Sequence, residues 1–166
     1  ITSATAVIFP VEKITRELQQ LGVEVLIDGA HIPGHLDISI DKIGAEYFTG
    51  NCHKWICSPK GSAFLHVQKD KQHLISPMTV SHTYDVPDAN EKLWSSHFFW
   101  PGTVDFTPYL CVKDSIDYFE NNFEGVWKNL REYNHQLCLD ARKLISEKIG
   151  LQLTAPENMI DRKSVV

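Results

Sequence analysis

Val25-Leu26-Ile27-Asp28-Gly29-Ala30-His31 and, a little further on, Glu46-Tyr47-Phe48-Thr49-Gly50-Asn51-Cys52-His53-Lys54-Trp55 decide the fold of this chain. The first stretch places a carboxylate and an imidazole directly after an apolar run, as a buried strand ending at a site would do. The second repeats the design, with a short β-prone run, a glycine, and a polar cluster in which a lysine is flanked by an imidazole and an indole. Two such endings imply one shared pocket.

Outward from these stretches, Pro10 opens a helix at a position where its missing N–H costs nothing. Val11, Ile14, Leu18 and Leu21 recur at helical spacing, and Gly22 supplies the stop. Residues 1–9 read as loop and strand material, and Val23 to Ile27 as a buried strand. Strand, helix, strand at this spacing is the grammar of a parallel sheet covered by helices. Ile38, Ile40 and Ile43 before Gly44 predict a one-turn helix, Ala45 to Thr49 a return to the sheet, and Ser62 to Val67 a further strand after the Ser58-Pro59-Lys60-Gly61 turn. Lys54 then falls on a loop between two strands. Gln68 to Trp100 reads as a long surface excursion. From Thr107 the helical period returns, and Val126, Leu130, Tyr133, Leu137, Ala141, Leu144 and Ile145 form one apolar stripe of a longer helix, read as core or domain-joining packing. Gly150 ends it, and Leu151-Gln152-Leu153 reads as the first strand of a further unit.

The composition fits a soluble globular chain of 166 residues, with 43% hydrophobic and 22% charged residues. A net charge of −5 with scattered Lys and Arg disfavours nucleic acid and anionic membrane as partners. Four cysteines without a C-x-x-C pair point to a reducing compartment, with the cytoplasm as the default. The opening on Ile1 and the close on Val166 suggest a piece of a longer protein.

A lysine attacks a carbonyl only when partly neutral, and a cation-rich, buried pocket is the usual means of achieving that. An aldehyde cofactor is its natural partner, and pyridoxal phosphate also needs a carboxylate opposite its ring nitrogen. Asp28 is the candidate. Alone, an Asp after a strand is ordinarily a turn or cap residue; its spacing to Lys54 and His31 carries the functional reading. His31 and His35 could ligate a metal with Asp28 and His53 in a hydrolase, but Pro33 and Gly34 deny the two histidines one helical face, and no metal is expected. His66, His73, His82, His97 and His135 are read as surface or satisfied core residues, and Cys52 and Cys57 as small packing side chains.

Taken together, Pro10-Val11, the Val25–His31 stretch and Gly44-Ala45-Glu46-Tyr47-Phe48-Thr49-Gly50-Asn51-Cys52-His53-Lys54-Trp55 closely resemble class V aminotransferase-type (fold-type I) pyridoxal-phosphate enzymes. The T-G-N-x-H-K-W wording and Trp100-Pro101-Gly102-Thr103-Val104-Asp105 look most like the isopenicillin-N-epimerase-like branch. The match is nearly continuous from Ile1 to about Tyr118, and the 26-residue separation of Asp28 and Lys54 makes it specific.

The resemblance implies an α/β fold. Residues 1–122 would be the later half of a large domain with a mostly parallel sheet and flanking helices, and residues 123–166 a linker helix and the start of an α+β small domain. It makes Lys54 the Schiff-base lysine, Asp28 the partner of the pyridine nitrogen, and His31 a neighbour of the ring and its phenolic oxygen. Asn51 and His53 fall where the family places phosphate-binding groups, although the commoner form has Ser at the position of Asn51. Thr103 matches a residue that reaches the phosphate of the neighbouring subunit in a homodimer, and Ser3 lies in the loop approaching the ring. The expected cofactor is pyridoxal 5'-phosphate and the substrate a small amino compound or amino acid. The chemistry would be aminotransferase or epimerase type, with cysteine desulfurase or lyase chemistry, a catalytically inactive relative and the metal-dependent hydrolase as alternatives. The earlier half of the domain, with its phosphate loop, and the substrate-carboxylate arginine would lie outside this chain.

Overall fold

A computed structural model describes residues 1–84, 93–150 and 155–160. The strand expected at Leu151–Leu153 lies outside the described residues. The elements that position the site are α1 (Val11–Gln20), β1 (Leu26–Asp28), α2 (Ile40–Ile43), β2 (Tyr47–Asn51) and β3 (Ala63–Val67). A 3-10 turn (Lys69–Leu74), α3 (Leu93–His97), α4 (Thr107–Asn122) and α5 (Val126–Ile149) follow.

Helix α1 starts one residue later than expected, with Pro10 as its cap. In residues 1–9 the expected strand is reduced to a single antiparallel bridge between Val7 and Ile160. Ser39 caps α2 by accepting from the Lys42 N–H, and Gly44, in the left-handed region, ends it. This short helix is the crossover between β1 and β2, which pair in parallel with Leu26 beside Tyr47 and Asp28 beside Thr49. β2 and β3 pair antiparallel, from Tyr47 against Val67 to Asn51 against Ala63. The order is β1-β2-β3, so the sheet within this chain is mixed rather than mostly parallel: the lysine loop returns β3 alongside β2 as a hairpin, which can only be antiparallel.

Burial alternates as a pleated sheet requires. Ile27, Phe48 and Val25 face a core with Ile32, Ile43 and Ala45, against which Val11, Leu18, Leu36, Ile38 and Ile40 pack. β1 is not buried on both faces as its apolar run suggested: Leu26 is 61% exposed, because the described chain lays nothing over that face. The α5 stripe, read as core or domain-joining packing, is partly exposed within this chain. Tyr133, Leu137 and Leu144 are exposed, whereas Val126, Cys138 and Arg142 are buried, and Arg142 Nη2 donates to the Ala155 carbonyl. Residues 123–125 separate α4 from α5. None of the helices among the described residues is long and apolar enough to cross a membrane.

Glu46 ties α1 and β1 to the sheet from a buried position. Its carboxylate accepts from the Val25 N–H at 2.8 Å and from Gln19 Nε2 at 2.9 Å. Burial alone would raise its pKa, but the Val25 and Glu46 N–H groups and the Gln19 amide outweigh this and hold it below the usual carboxylate range. A carboxyl depressed on folding contributes stability that is full above its unfolded pKa and is lost as pH falls through the folded one. Glu46→Gln should therefore destabilise the protein by about 1.5–3 kcal/mol at neutral pH, the range for hydrogen bonds to a charged group. Urea unfolding of the full-length protein from neutral to acidic pH checks this: the variant's deficit should shrink on acidification, and a deficit independent of pH would refute the role of the charge.

Candidate active site

Parallel strands that run side by side end on the same side of a sheet, and the carboxyl ends of such strands are where open α/β proteins bind ligands. Asp28 is the last residue of β1, and Lys54 follows the end of β2 at Asn51 by three residues. The first turn past β1 stays close to β2 because Gly29 has no side chain. Its N–H donates to the Thr49 carbonyl at 2.9 Å, and a Cβ there would fall 2.4 Å from the Phe48 ring. Asp28 Oδ1 accepts from the Ala30 N–H at 3.0 Å, which fixes the carboxylate at the strand end.

Residues 52–62 are folded onto themselves. The Cys52 and His53 N–H groups both donate to the Ser62 carbonyl, Ser58 N–H donates to the Cys52 carbonyl, and Ser62 Oγ donates to the Pro59 carbonyl at 2.9 Å. Ser58 Oγ reaches the Pro108 carbonyl at 3.1 Å, anchoring the loop to α4. From this loop Lys54 points back toward β1, where its Nζ lies 3.0 Å from His31 Nε2. Trp55 Nε1 donates to the other ring nitrogen, His31 Nδ1, at 3.4 Å.

A cavity of about 600 Å³ is lined by Asp28, Ala30, His31, Lys54 and Ser3 together with apolar residues that include Ile1, Phe9 and Val11. Four of the residues singled out in the sequence thus meet. His53 does not turn into this group; its Nδ1 lies 2.8 Å from the Ser62 carbonyl. Asn51 ends β2 partly buried, and Thr103 is exposed in the loop ahead of α4. Among the described residues no three His, Cys, Asp or Glu side chains come together as metal ligands, so Asp28, His31, His35 and His53 do not form the centre that a metal hydrolase would need; His35 packs edge-on against Trp55 instead, with ring centroids 4.2 Å apart. Trp55 was noted in the sequence only as a neighbour of the lysine. The H-K-W order was the available signal, but its partner lies 24 residues away and only folding reveals it.

The donor set fits pyridoxal 5'-phosphate. A primary amine for an aldehyde, a carboxylate for a ring nitrogen and an imidazole converge on one cavity of the size small cofactors occupy.

Comparison with known proteins agrees. The family model described as aminotransferase class-V matches residues 1–166. The chain is 36% identical to a putative L-cysteine desulfhydrase 1 of Oryza sativa subsp. japonica over 163 residues, 96% of this chain and 32% of that protein. It is 29% identical to isopenicillin N epimerase of Streptomyces clavuligerus, covering 95% of this chain and 42% of that protein. In fold it is similar to the apo cysteine desulfurase of Thermococcus onnurineus NA1, with a TM-score of 0.77 at 16% identity over 97% of this chain and 41% of that one. The chain thus spans about a third to two-fifths of the length of these relatives. A lysine and an aspartate brought together at the carboxyl ends of two parallel strands, in a sequence that the family model matches from end to end, place the chain in the class-V aminotransferase family of pyridoxal-phosphate enzymes.

Proposed function

We propose that this chain carries the catalytic lysine of an enzyme that reacts at the α-carbon of an amino acid or related amine, by amino-group transfer or epimerisation. The observation that carries the reading is Lys54 Nζ beside His31 Nε2, in one cavity with Asp28. When bound, pyridoxal phosphate supplies an aldehyde that links to amines and a ring that accepts the electrons left on the α-carbon. Lys54 is the one lysine among the described residues lining that cavity. Its amine would hold the cofactor's aldehyde and, once released, would serve as the base that moves the proton at the substrate's α-carbon. The Asp28 carboxylate would keep a proton on the ring nitrogen, and His31, lining the same cavity, would lie beside the ring and its phenolic oxygen. Asn51, at the end of β2, and His53, two residues on, are the proposed phosphate-holding residues, and Ser3 lines the cavity from the N-terminal loop. Carbon–sulfur cleavage is the second reading, favoured by the name of the rice relative.

The test is the absorption spectrum of the full-length protein before and after borohydride, followed by peptide mapping. The visible band should disappear and the trapped cofactor should lie on Lys54; a label on Lys60 would refute the assignment of the loop.

The supporting frame is a large-domain segment at residues 1–122 and a linker with the start of a small domain at 123–166, in a cytoplasmic homodimer. No disulfide joins cysteines among the described residues, as in a reducing compartment. Phe99, Val104 and Leu110 expose apolar surface around Thr103, the kind of face that a second subunit covers. Thr103 would then donate to the phosphate in the partner's site, with Gly102, at φ 127, letting the loop turn there. Mixing a full-length Lys54→Ala subunit with a Thr103→Ala subunit checks this. One site of the mixed dimer carries both lesions and the other neither, so random exchange within two-fold dimers should return about a quarter of wild-type activity. No recovery despite demonstrated exchange would assign Thr103 to its own chain's site or to none.

A further inference from the structure

Two contacts of His31 constrain each other. An indole N–H can only donate, so the ring nitrogen it meets, Nδ1, must offer a lone pair. A neutral imidazole carries one proton, and with Nδ1 accepting that proton sits on Nε2. Nε2–H then points at Lys54 Nζ, 3.0 Å away, and a nitrogen can accept that bond only as a neutral amine. A charged Lys54 would instead donate to Nε2, force the proton onto Nδ1, and set it against the Trp55 N–H.

The indole is held where it must be to impose this choice. The Trp55 backbone passes so close to Gly34 that a Cβ there would lie 2.8 Å from the Trp55 carbonyl group, and Gly34 has φ +79. The His35 ring packs against the Trp55 ring from the same turn. Titratable groups nearby include Asp28, which lines the cavity with His31 and Lys54, His53, whose Nδ1 is turned to the Ser62 carbonyl, and Cys57, whose Sγ–H reaches the Trp55 carbonyl at 3.9 Å.

We propose that Trp55 is a positioning residue that fixes His31 as the tautomer protonated on Nε2, and thereby favours the arrangement in which Nε2–H meets the lone pair with which Lys54 attacks the cofactor's carbonyl. This rests on the proposed role of Lys54 as the cofactor lysine. The bond formed is from Nζ to the carbonyl carbon; the amine's two protons leave with the carbonyl oxygen as water, so no oxidant or reductant is needed.

The experiment uses the cofactor-free full-length protein and its Trp55→Phe variant, which keeps an aromatic ring against His35 but removes the N–H. Nitrogen NMR of labelled histidine, with the His31 signal assigned by its loss in His31→Gln, should show Nε2 protonated and Nδ1 bare in the wild type, with that bias lost in Trp55→Phe. The rate at which added pyridoxal phosphate is fixed to Lys54 by borohydride, followed by peptide mass over a pH series, should fall about tenfold near neutral pH in the variant, the equivalent of one hydrogen bond. The difference should vanish at alkaline pH, where lysine is neutral without help. A wild-type His31 protonated on Nδ1 overturns the proposal even if Trp55→Phe fails to fold. Superimposable pH profiles with normal fixation at Lys54 overturn the role of Trp55 alone, whereas fixation at another lysine overturns the proposed function along with it.

Discussion

Replacing Lys54 by Ala in the full-length protein should abolish covalent capture of pyridoxal phosphate and lower kcat by about 10⁴-fold, the upper range for loss of a positioned general base. The expectation follows from the geometry around Nζ. Lys54 is carried on a loop pinned at both ends by the Ser62 carbonyl and at its side by Ser58 and Pro108, so its amine reaches the cavity beside Asp28 and His31. Lys60 stands six residues further along the chain on the exposed part of the same loop, and nothing turns it toward the cavity lining. The variant should still fold, because truncating a partly buried lysine leaves the loop's backbone bonds in place. Single-turnover kinetics with an amino substrate, alongside the visible spectrum, measures the effect. Retention of the visible band in Lys54→Ala would show that another amine holds the cofactor.

Asp28→Asn should reduce kcat by about 10²–10³-fold, comparable to removing one electrostatic contact that acts in the transition state, while cofactor affinity falls much less. Asparagine keeps the shape and the Oδ1 acceptor that the Ala30 N–H requires, so the turn after β1 survives. What it loses is the negative charge that keeps a ring nitrogen protonated. That charge matters most when electrons from the α-carbon enter the ring, so the loss is larger in the transition state than in binding. Cofactor titration and kcat on the same preparation separate the two. Equal turnover in wild type and variant would refute the electron-sink role; a change in cofactor affinity alone would leave turnover untouched and refute it equally.

Much of this was legible in the chain because it is local. An apolar run and two β-prone segments marked β1, β2 and β3 to within a few residues, and Gly44 and Gly150 marked helix ends that the structure places in left-handed caps. Pro10 was read as the first helical residue and proved to be the cap, an error of one position that periodicity cannot resolve. The spacing of Asp28 and Lys54 carried the family resemblance, and the family match over residues 1–166 bears it out.

Exposure was less legible, since an apolar residue in a sequence carries no mark of what covers it. Leu26 read as core and lies exposed, and Tyr133, Leu137 and Leu144, read as core or domain-joining packing, are exposed too; burial depends on a second surface, which the stripe itself does not specify. The return of β3 as an antiparallel neighbour of β2 was equally hidden, because both pairings present the same period of two.

By itself, then, the sequence determined the residue types of the site and the strand ends that carry them, since strand periodicity and turn chemistry are written within a few neighbouring positions. Only the tertiary structure decided which of those side chains meet. It brought His31 within hydrogen-bonding distance of both Lys54 and Trp55 and turned His53 to the Ser62 carbonyl. Such contacts are set by how β1 and β2 register in parallel and how the 52–62 loop closes, a balance of long-range packing and hydrogen bonds that no local pattern encodes.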